Sequence, residues 1–162
     1  MPSLVDREDQ PYVGYRATVG FDGLREVAHR LAVIAGALGE RGVTPAGAPF
    51  FRYLVLGPGM SSLTVEAGVP VAAPVELGED YVDDVVPGGK YVKATHRGAP
   101  DGLAAAAAEV LEWGAAEGVR WDRSQAADGE HWTGRLEVYR TDPRVEPDAT
   151  KWETDLYFRL VD

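Results

Sequence analysis

Apolar positions follow the same order of periods in the two halves of the chain. Spacing of three and four residues, typical of an amphipathic helix, runs through residues 24–38 and again through residues 103–113. A strand-like segment precedes each helical segment, starting at Tyr12 and at Tyr91. Two further strand-like segments follow each helix, at 50–56 and 63–71 in the first half and at 133–140 and 151–161 in the second. The pattern therefore predicts a β-α-β-β unit that occurs twice.

Identical residues support this duplication. When the segment that begins at Tyr12 is aligned with the one that begins at Tyr91, a tripeptide D-G-L falls on a second D-G-L. Each tripeptide stands at the start of a predicted helix. We expect its aspartates, Asp22 and Asp101, to cap the helices, because an aspartate oxygen can accept the unpaired amide hydrogens of a first turn.

The duplication predicts a fold of the α+β class. We expect antiparallel sheets from a duplicated β-α-β-β unit, with a central ligand groove and the helices on the outer face. The first unit would span about residues 11–75 and the second about residues 80–162, within a single domain of residues 1–162. One helix and three strands are too few to close a core, so the halves are expected to pack together.

Composition excludes several classes of function. The chain has no cysteine, which excludes disulfides and thiolate chemistry, and its three histidines are far apart, so we expect no metal and no cofactor. The formal net charge of −10 argues against direct binding to nucleic acid or to an anionic membrane. The N-terminus lacks the basic residues and the apolar run of a signal peptide, and no apolar run reaches the roughly eighteen residues of a spanning helix. The protein is therefore predicted to be cytoplasmic.

Alternation in the last two strands separates two kinds of side chain. One set is aliphatic and aromatic and suits packing against helices: Leu136, Val138, Leu156, Phe158 and Leu160. The other set mixes charged residues with tyrosines: Arg135, Glu137, Tyr139, Asp155, Tyr157 and Arg159. A solvent-facing sheet would show the same alternation. The duplication favours a concave site, in which the mixed faces of the two halves meet.

Aromatic residues in and beside the second-half strands fit a small-molecule pocket. They are Trp132, Tyr139, Trp152 and Tyr157. Tyrosine and tryptophan combine a large flat surface with a polar group, and their ring faces attract cations. A carboxylate among them would add direct charge attraction. The sequence therefore predicts a site for a hydrophobic aromatic ligand, often a cationic one.

Several segments resemble the GyrI-like small-molecule-binding family, which is related to the effector-binding domains of MerR- and AraC-type multidrug regulators. The segments are G-G-K-Y-V-K-A-T-H-R-G at 88–98, L-E-V-Y-R-T-D-P at 136–143, E-T-D-L-Y-F-R-L at 153–160 and V-E-A-G-V-P-V at 65–71. The resemblance implies a central pocket in which lipophilic cations bind against a buried glutamate and aromatic rings. Because the sequence leaves no room for a helix-turn-helix module, we expect it to be similar to the stand-alone members of the family. Some of these resemble hydrolases of cyclopropane-containing DNA alkylators.

The resemblance places Glu137 in the pocket, where it would also be the general base of a hydrolase. Ligand-binding residues are then expected around it: Tyr139, Tyr157, Trp132, Trp152, Tyr91, Phe50, Asp155 and Glu66. Asp155 stands where the family more often has glutamate, and Glu66 also fits a solvated strand position. His96 fits a hydrogen-bonded structural histidine better than a general base.

Three functions follow from these residues. The first is a stand-alone binder of hydrophobic drugs or toxins that hydrolyses cyclopropane-containing ones. The second is a non-catalytic sensor or sequestering module, and the third is a protein that acts on a macromolecular partner, as a gyrase inhibitor would. The sequence names neither the natural ligand nor a protein partner, and it leaves open whether the protein is an enzyme.

Overall fold

The computed structural model describes residues 2–162. Two helices, α1 (Leu24–Glu40) and α2 (Leu103–Glu117), pack on an antiparallel sheet. Its strands are β1 (Ser3–Arg7), β2 (Gln10–Val19), β3 (Phe50–Leu56), β4 (Leu63–Pro70), β5 (Val82–Val86), β6 (Gly89–Arg97), β7 (Arg123–Ala126), β8 (Gly129–Trp132), β9 (Arg135–Tyr139) and β10 (Glu153–Arg159). The predicted α+β class with a duplicated β-α-β-β unit is confirmed.

All strands belong to one strongly curled sheet that forms a half-barrel groove. The strand order is β1-β6-β10-β9-β3-β4-β2-β5, and β8 joins the β7–β8 hairpin to β3. The expected separate sheets are continuous because β3 of the first half pairs directly with β9 of the second. The centre of the molecule is therefore a pair of hydrogen-bonded strands, one from each half.

Each half also lends an edge strand to the other. Two residues, Glu8 and Asp9, separate β1 from β2, yet β1 pairs with β6 in the second half. In the same way, β5 pairs with β2 and is followed after two residues by β6. The exchange bends the chain sharply at both places and brings the outer edges of the sheet together.

Both helices cover the same face of this sheet. Val27, Ile34 and Leu38 of α1 are buried against β2 and β4, and Leu103 and Val110 of α2 are buried in a cluster with residues of β6 and β10. Apolar side chains at helical spacing supply this stripe, as the sequence predicted. Burial of these side chains fixes the helices beside the central strands.

The repeated D-G-L tripeptide has a packing role instead of the predicted capping role. Asp22 and Asp101 lie in short 3-10 turns, and the helix N-caps are Gly23 and Gly102, without a side-chain capping bond. A Cβ added at Gly23 would lie 2.7 Å from Val19 Cβ, and one at Gly102 would lie 2.7 Å from the ring of His96. Glycine is needed because the preceding strand passes too close for a side chain.

In residues 2–162, neither helix has the length and apolar character that crossing a membrane requires.

Candidate ligand-binding site

The site is centred where β3 and β9 meet, at the opposed residues Phe51 and Glu137. Tyr53 and Tyr139 each lie two residues farther along their own strands, so alternation places them on the same face as this central pair. The Tyr53 hydroxyl donates to Glu137 Oε1 at 2.9 Å, and the Tyr139 hydroxyl donates to the same oxygen at 2.8 Å. Both rings stand edge-on to the Phe51 ring, with centroids 6.4 and 5.5 Å away.

The arrangement follows the pseudo-twofold axis of the duplicated fold. Pairing is symmetric about the central residues, because Phe50 opposes Val138 on one side and Arg52 opposes Leu136 on the other. The axis thus relates Tyr53 to Tyr139 and Phe51 to Glu137. Duplication supplies a matched pair of hydroxyl donors. Glu137, at the position equivalent to Phe51 of the other strand, gives them a carboxylate to bind.

Burial controls the protonation of these groups. It raises the pKa of Glu137, while the hydroxyls of Tyr139 and Tyr53 and the positive charge of Arg135 hold that pKa down. Burial, together with the charge of Glu137, raises the pKa of Tyr53 and of Tyr139 well above the ordinary tyrosine value. Both tyrosines therefore remain hydrogen-bond donors to the carboxylate throughout the physiological pH range.

A second charged residue, Arg135, lies on the same face of β9 as Glu137. Its guanidinium carbon is 4.9 Å from the ring centroid of Phe158, 5.2 Å from that of Trp132 and 5.9 Å from that of Tyr53. In the part of the chain that the structure describes, Arg135 forms no ion pair within 4.0 Å. Its guanidinium therefore lies against aromatic ring faces, which attract cations.

The site lies on the sheet face against which both helices pack. Phe51 is buried, whereas Glu137, Tyr53 and Tyr139 keep part of their surface exposed. Leu24, the first residue of α1, packs against the core clusters on both sides of the site. The groove thus has a carboxylate on its floor, tyrosines beside it and apolar walls, which suits a flat hydrophobic molecule.

The strand register contradicts one prediction about the faces. Leu156 of β10 lies opposite Glu137, and Tyr157 lies opposite Leu136. Opposed residues in an antiparallel pair project from the same face, so Asp155 and Tyr157 point away from Glu137. Alternation identifies the two faces within each strand, but it does not say which faces of neighbouring strands coincide.

Four other predicted ligand residues lie on the same face as Tyr157, away from Glu137: Tyr91, Asp155, Glu66 and Phe50. Tyr91 is fully buried and its hydroxyl donates to the Pro87 carbonyl. Asp155 accepts a bond of 2.6 Å from the Thr95 hydroxyl, and Glu66 is bound by Arg16 and by the Tyr12 hydroxyl. Phe50 and Tyr157 line a cavity of about 330 Å³ on this face.

The two predicted tryptophans have different surroundings. Trp132 is buried against Trp121 and Phe158, and its ring lies under Arg135 at the end of the groove. Trp152 donates its indole N–H to the Glu146 carbonyl at 2.6 Å, in the segment that leads into β10. Trp132 thus adjoins the site, whereas Trp152 anchors a loop.

His96 has a bonded position at the edge of the site. Its Nε2 lies 3.1 Å from the Ala99 carbonyl oxygen, at the turn that begins α2. The imidazole of His96 is also one of the groups that lower the pKa of Glu137. Among residues 2–162, no three His, Asp or Glu side chains are grouped as metal ligands.

The sequence analysis missed Tyr53, Phe51 and the aromatic surroundings of Arg135. A signal for Tyr53 is present, because aligning F-F-R-Y at 50–53 with L-E-V-Y at 136–139 places Tyr53 on Tyr139. The same alignment places Phe51 on Glu137. No comparable signal exists for Arg135, whose aromatic neighbours come from three separate strands.

The fold and this groove define a small-molecule-binding domain of duplicated β-α-β-β architecture. The family model for the GyrI-like small molecule binding domain matches residues 1–161, and the chain belongs to the GyrI-like family. No match to the chain was found among curated proteins.

Solved structures share the fold. The EcmrR C-terminal domain has a TM-score of 0.78 at 16% identity, with 100% of this chain and 98% of that one covered. In the EcmrR–DNA complex the TM-score is 0.77 at 16% identity, over 99% of this chain but only 57% of that chain. SAV2435 bound to tetraphenylphosphonium has a TM-score of 0.68 at 11% identity, over 99% and 94%. A hydrolase from Listeria innocua has a TM-score of 0.61 at 15% identity, over 99% and 91%.

Proposed function

We propose that the protein binds hydrophobic aromatic molecules, lipophilic cations among them, in the groove above Glu137. The observation that supports this proposal is the way in which the two oxygens of the Glu137 carboxylate are hydrogen-bonded. Both tyrosine bonds go to Oε1, and within residues 2–162 no lysine or arginine nitrogen lies within 4.0 Å of this side chain. Oε2 thus remains available to a ligand.

A ligand would gain from three sources in this groove. A cationic group near Oε2 would be attracted strongly, because the carboxylate is partly desolvated and water screens its charge poorly. The faces of Tyr53 and Tyr139 would add cation–π attraction of about 0.5–2 kcal/mol each. Apolar rings would bury surface against Phe51 and Leu24. The tetraphenylphosphonium complex of SAV2435, which shares the fold, supports this class of ligand.

Titration calorimetry with tetraphenylphosphonium tests the proposal. Glu137→Gln keeps the size of the side chain and removes its charge, so we expect affinity to fall about tenfold or more. Glu109→Gln, at an exposed position on α2, is the matched control and should bind like the wild type. Equal affinity in the wild type and Glu137→Gln would show that the carboxylate takes no part in binding.

A second candidate function, hydrolysis of cyclopropane-containing alkylators, is favoured by the raised pKa of Glu137. A carboxylate with a raised pKa is a stronger base and accepts a proton from water more readily. The water oxygen would bond to a ring carbon as a carbon–carbon bond of the cyclopropane breaks, and the released electron pair would pass into the conjugated ring to give a phenolate. Tyr53 and Tyr139 are placed to orient the water, whereas Tyr157, on the other face, is not.

Mass spectrometry distinguishes hydrolysis from binding alone. The wild type incubated with a cyclopropane-bearing alkylator should give a product with one added water, and Glu137→Gln should not. Glu109→Gln again serves as the control. If the alkylator binds the wild type but gains no water over several hours, the protein is a binding module.

A further inference from the structure

Arg135 is itself a cation held against aromatic rings inside the groove. Its guanidinium lies over the rings of Phe158, Trp132 and Tyr53, which belong to three different strands. Tyr53 is at the same time one of the two donors to Glu137. The guanidinium therefore occupies aromatic surface that a cationic ligand would otherwise use.

The guanidinium is also held there without a direct counter-ion. Burial lowers the pKa of Arg135, and Glu130 and Glu137 oppose that shift through their charges from beyond 4.0 Å. Arginine nevertheless remains protonated, because its intrinsic pKa is very high. The groove thus contains a permanent positive charge that it has only partly neutralised.

Arg135 departs from the duplicated plan in the same way as Glu137. Arg135 stands on β9 two residues before Glu137, whereas Pro49, two residues before Phe51, immediately precedes β3. Both charges of the groove therefore come from one strand, and the matching strand supplies neither. A groove with only the carboxylate would favour cations, but a groove with both charges has little net preference from charge alone.

We propose that Arg135 is a specificity-determining residue whose guanidinium competes with cationic ligands for the aromatic rings beside Glu137. The guanidinium consequently reduces the preference of the groove for cations over neutral aromatic molecules of similar size, and a cation that uses these rings must displace the arginine. This inference rests on the proposed function, because it concerns the charge of the ligand in the same groove.

Two probes of similar shape and different charge test it. The affinities of tetraphenylphosphonium, a cation, and triphenylphosphine oxide, a neutral molecule, are measured by calorimetry for the wild type and for Arg135→Met. Methionine retains the aliphatic length and removes the charge. We expect Arg135→Met to bind the cation about tenfold more tightly and the neutral probe within about threefold of the wild type, since only the cation is repelled by the guanidinium.

Arg123→Met is the matched control. The guanidinium of Arg123 also lies over the Trp132 ring, at 5.4 Å, but its nitrogen is 3.6 Å from Glu130. Its removal should leave the ratio of the two affinities unchanged. Arg135→Gln, a shorter polar variant, should change the ratio in the same direction as Arg135→Met and serves if the methionine variant does not fold.

The outcomes are distinguishable. If both probes bind but the ratio is unchanged in Arg135→Met and Arg135→Gln, Arg135 does not set the preference. If both affinities rise together, the effect is one of space and the inference is again overturned. If neither probe binds the wild type or the Arg135 variants, the proposed function itself fails, and this inference fails with it.

Discussion

Glu66 and Glu137 are two glutamates of one sheet, each hydrogen-bonded to tyrosine, on opposite faces. Glu66 is fully buried; its Oε1 accepts from the Tyr12 hydroxyl, and its Oε2 accepts from Arg16 Nε and Nη2 at 2.9 and 2.7 Å. Glu137 is half-buried, and both tyrosine bonds go to one of its oxygens. No such arginine pairs with Glu137 at either oxygen in residues 2–162.

The difference separates a structural carboxylate from one that is suited to bind a ligand. Both oxygens of Glu66 are bonded and its charge is neutralised, so nothing remains for another molecule to satisfy. Glu137 retains an oxygen without a strong partner, and burial raises its pKa. Burial and a tyrosine bond are common to both residues. The presence or absence of a paired arginine therefore identifies the candidate site.

The largest effect is expected from breaking the ion pair of Glu66. Arg16→Met would leave a fully buried carboxylate without its cation, and we expect the free energy of unfolding to fall by about 3 kcal/mol. Urea denaturation at pH 7 measures this. Arg25→Met, at an exposed position on α1, should change stability by less than about 0.5 kcal/mol. A loss for Arg16→Met as small as this control would show that Glu66 needs no partner.

Glu137→Gln is expected to have a smaller effect of the opposite sign. Because the pKa of Glu137 is raised in the folded state, the folded protein holds its proton at pH values where the unfolded chain has released it. The wild type therefore loses stability relative to Glu137→Gln as the pH rises above the ordinary value of 4.5 towards the folded pKa.

Urea denaturation from pH 4 to pH 8 measures the difference between the two proteins. We expect the variant to be the more stable at pH 7 and the gap to close at acid pH. Glu109→Gln should follow the wild type at every pH. A variant that is less stable than the wild type at pH 7 would mean that Glu137 is a structural residue like Glu66.

The smallest effects are expected from the two tyrosines, and they should be equal. Tyr53→Phe and Tyr139→Phe each remove one hydrogen bond to the Glu137 carboxylate, at a cost of about 0.5–1.5 kcal/mol in the stability of its charged form. Each change should raise the pKa of Glu137, so the midpoint of pH-dependent tetraphenylphosphonium binding should move upward.

Tyr157→Phe, on the opposite face, is the control and should leave this midpoint in place. A shift in only one of the two variants would mean that the hydroxyls are not equivalent, and that the pseudo-twofold axis does not extend to the chemistry of the groove.

Periodicity and internal similarity in the sequence determined the repeating unit, both helices and most of the strands. They also determined that Glu137 and Tyr139 share a face, because residues two apart on one strand always do. These features depend on local spacing, which a single chain contains in full. The GyrI-like family followed from the same segments.

Only the tertiary structure decided which faces coincide. Because β9 pairs with β3 in a particular register, Phe51 lies opposite Glu137. The register of β9 with β10 places Asp155 and Tyr157 on the face away from Glu137. The same pairing brings Arg135 against aromatic rings from three strands. A shift of one residue in register moves every side chain of a strand to the other face. Packing between segments far apart in the chain fixes that register, and no local pattern contains it.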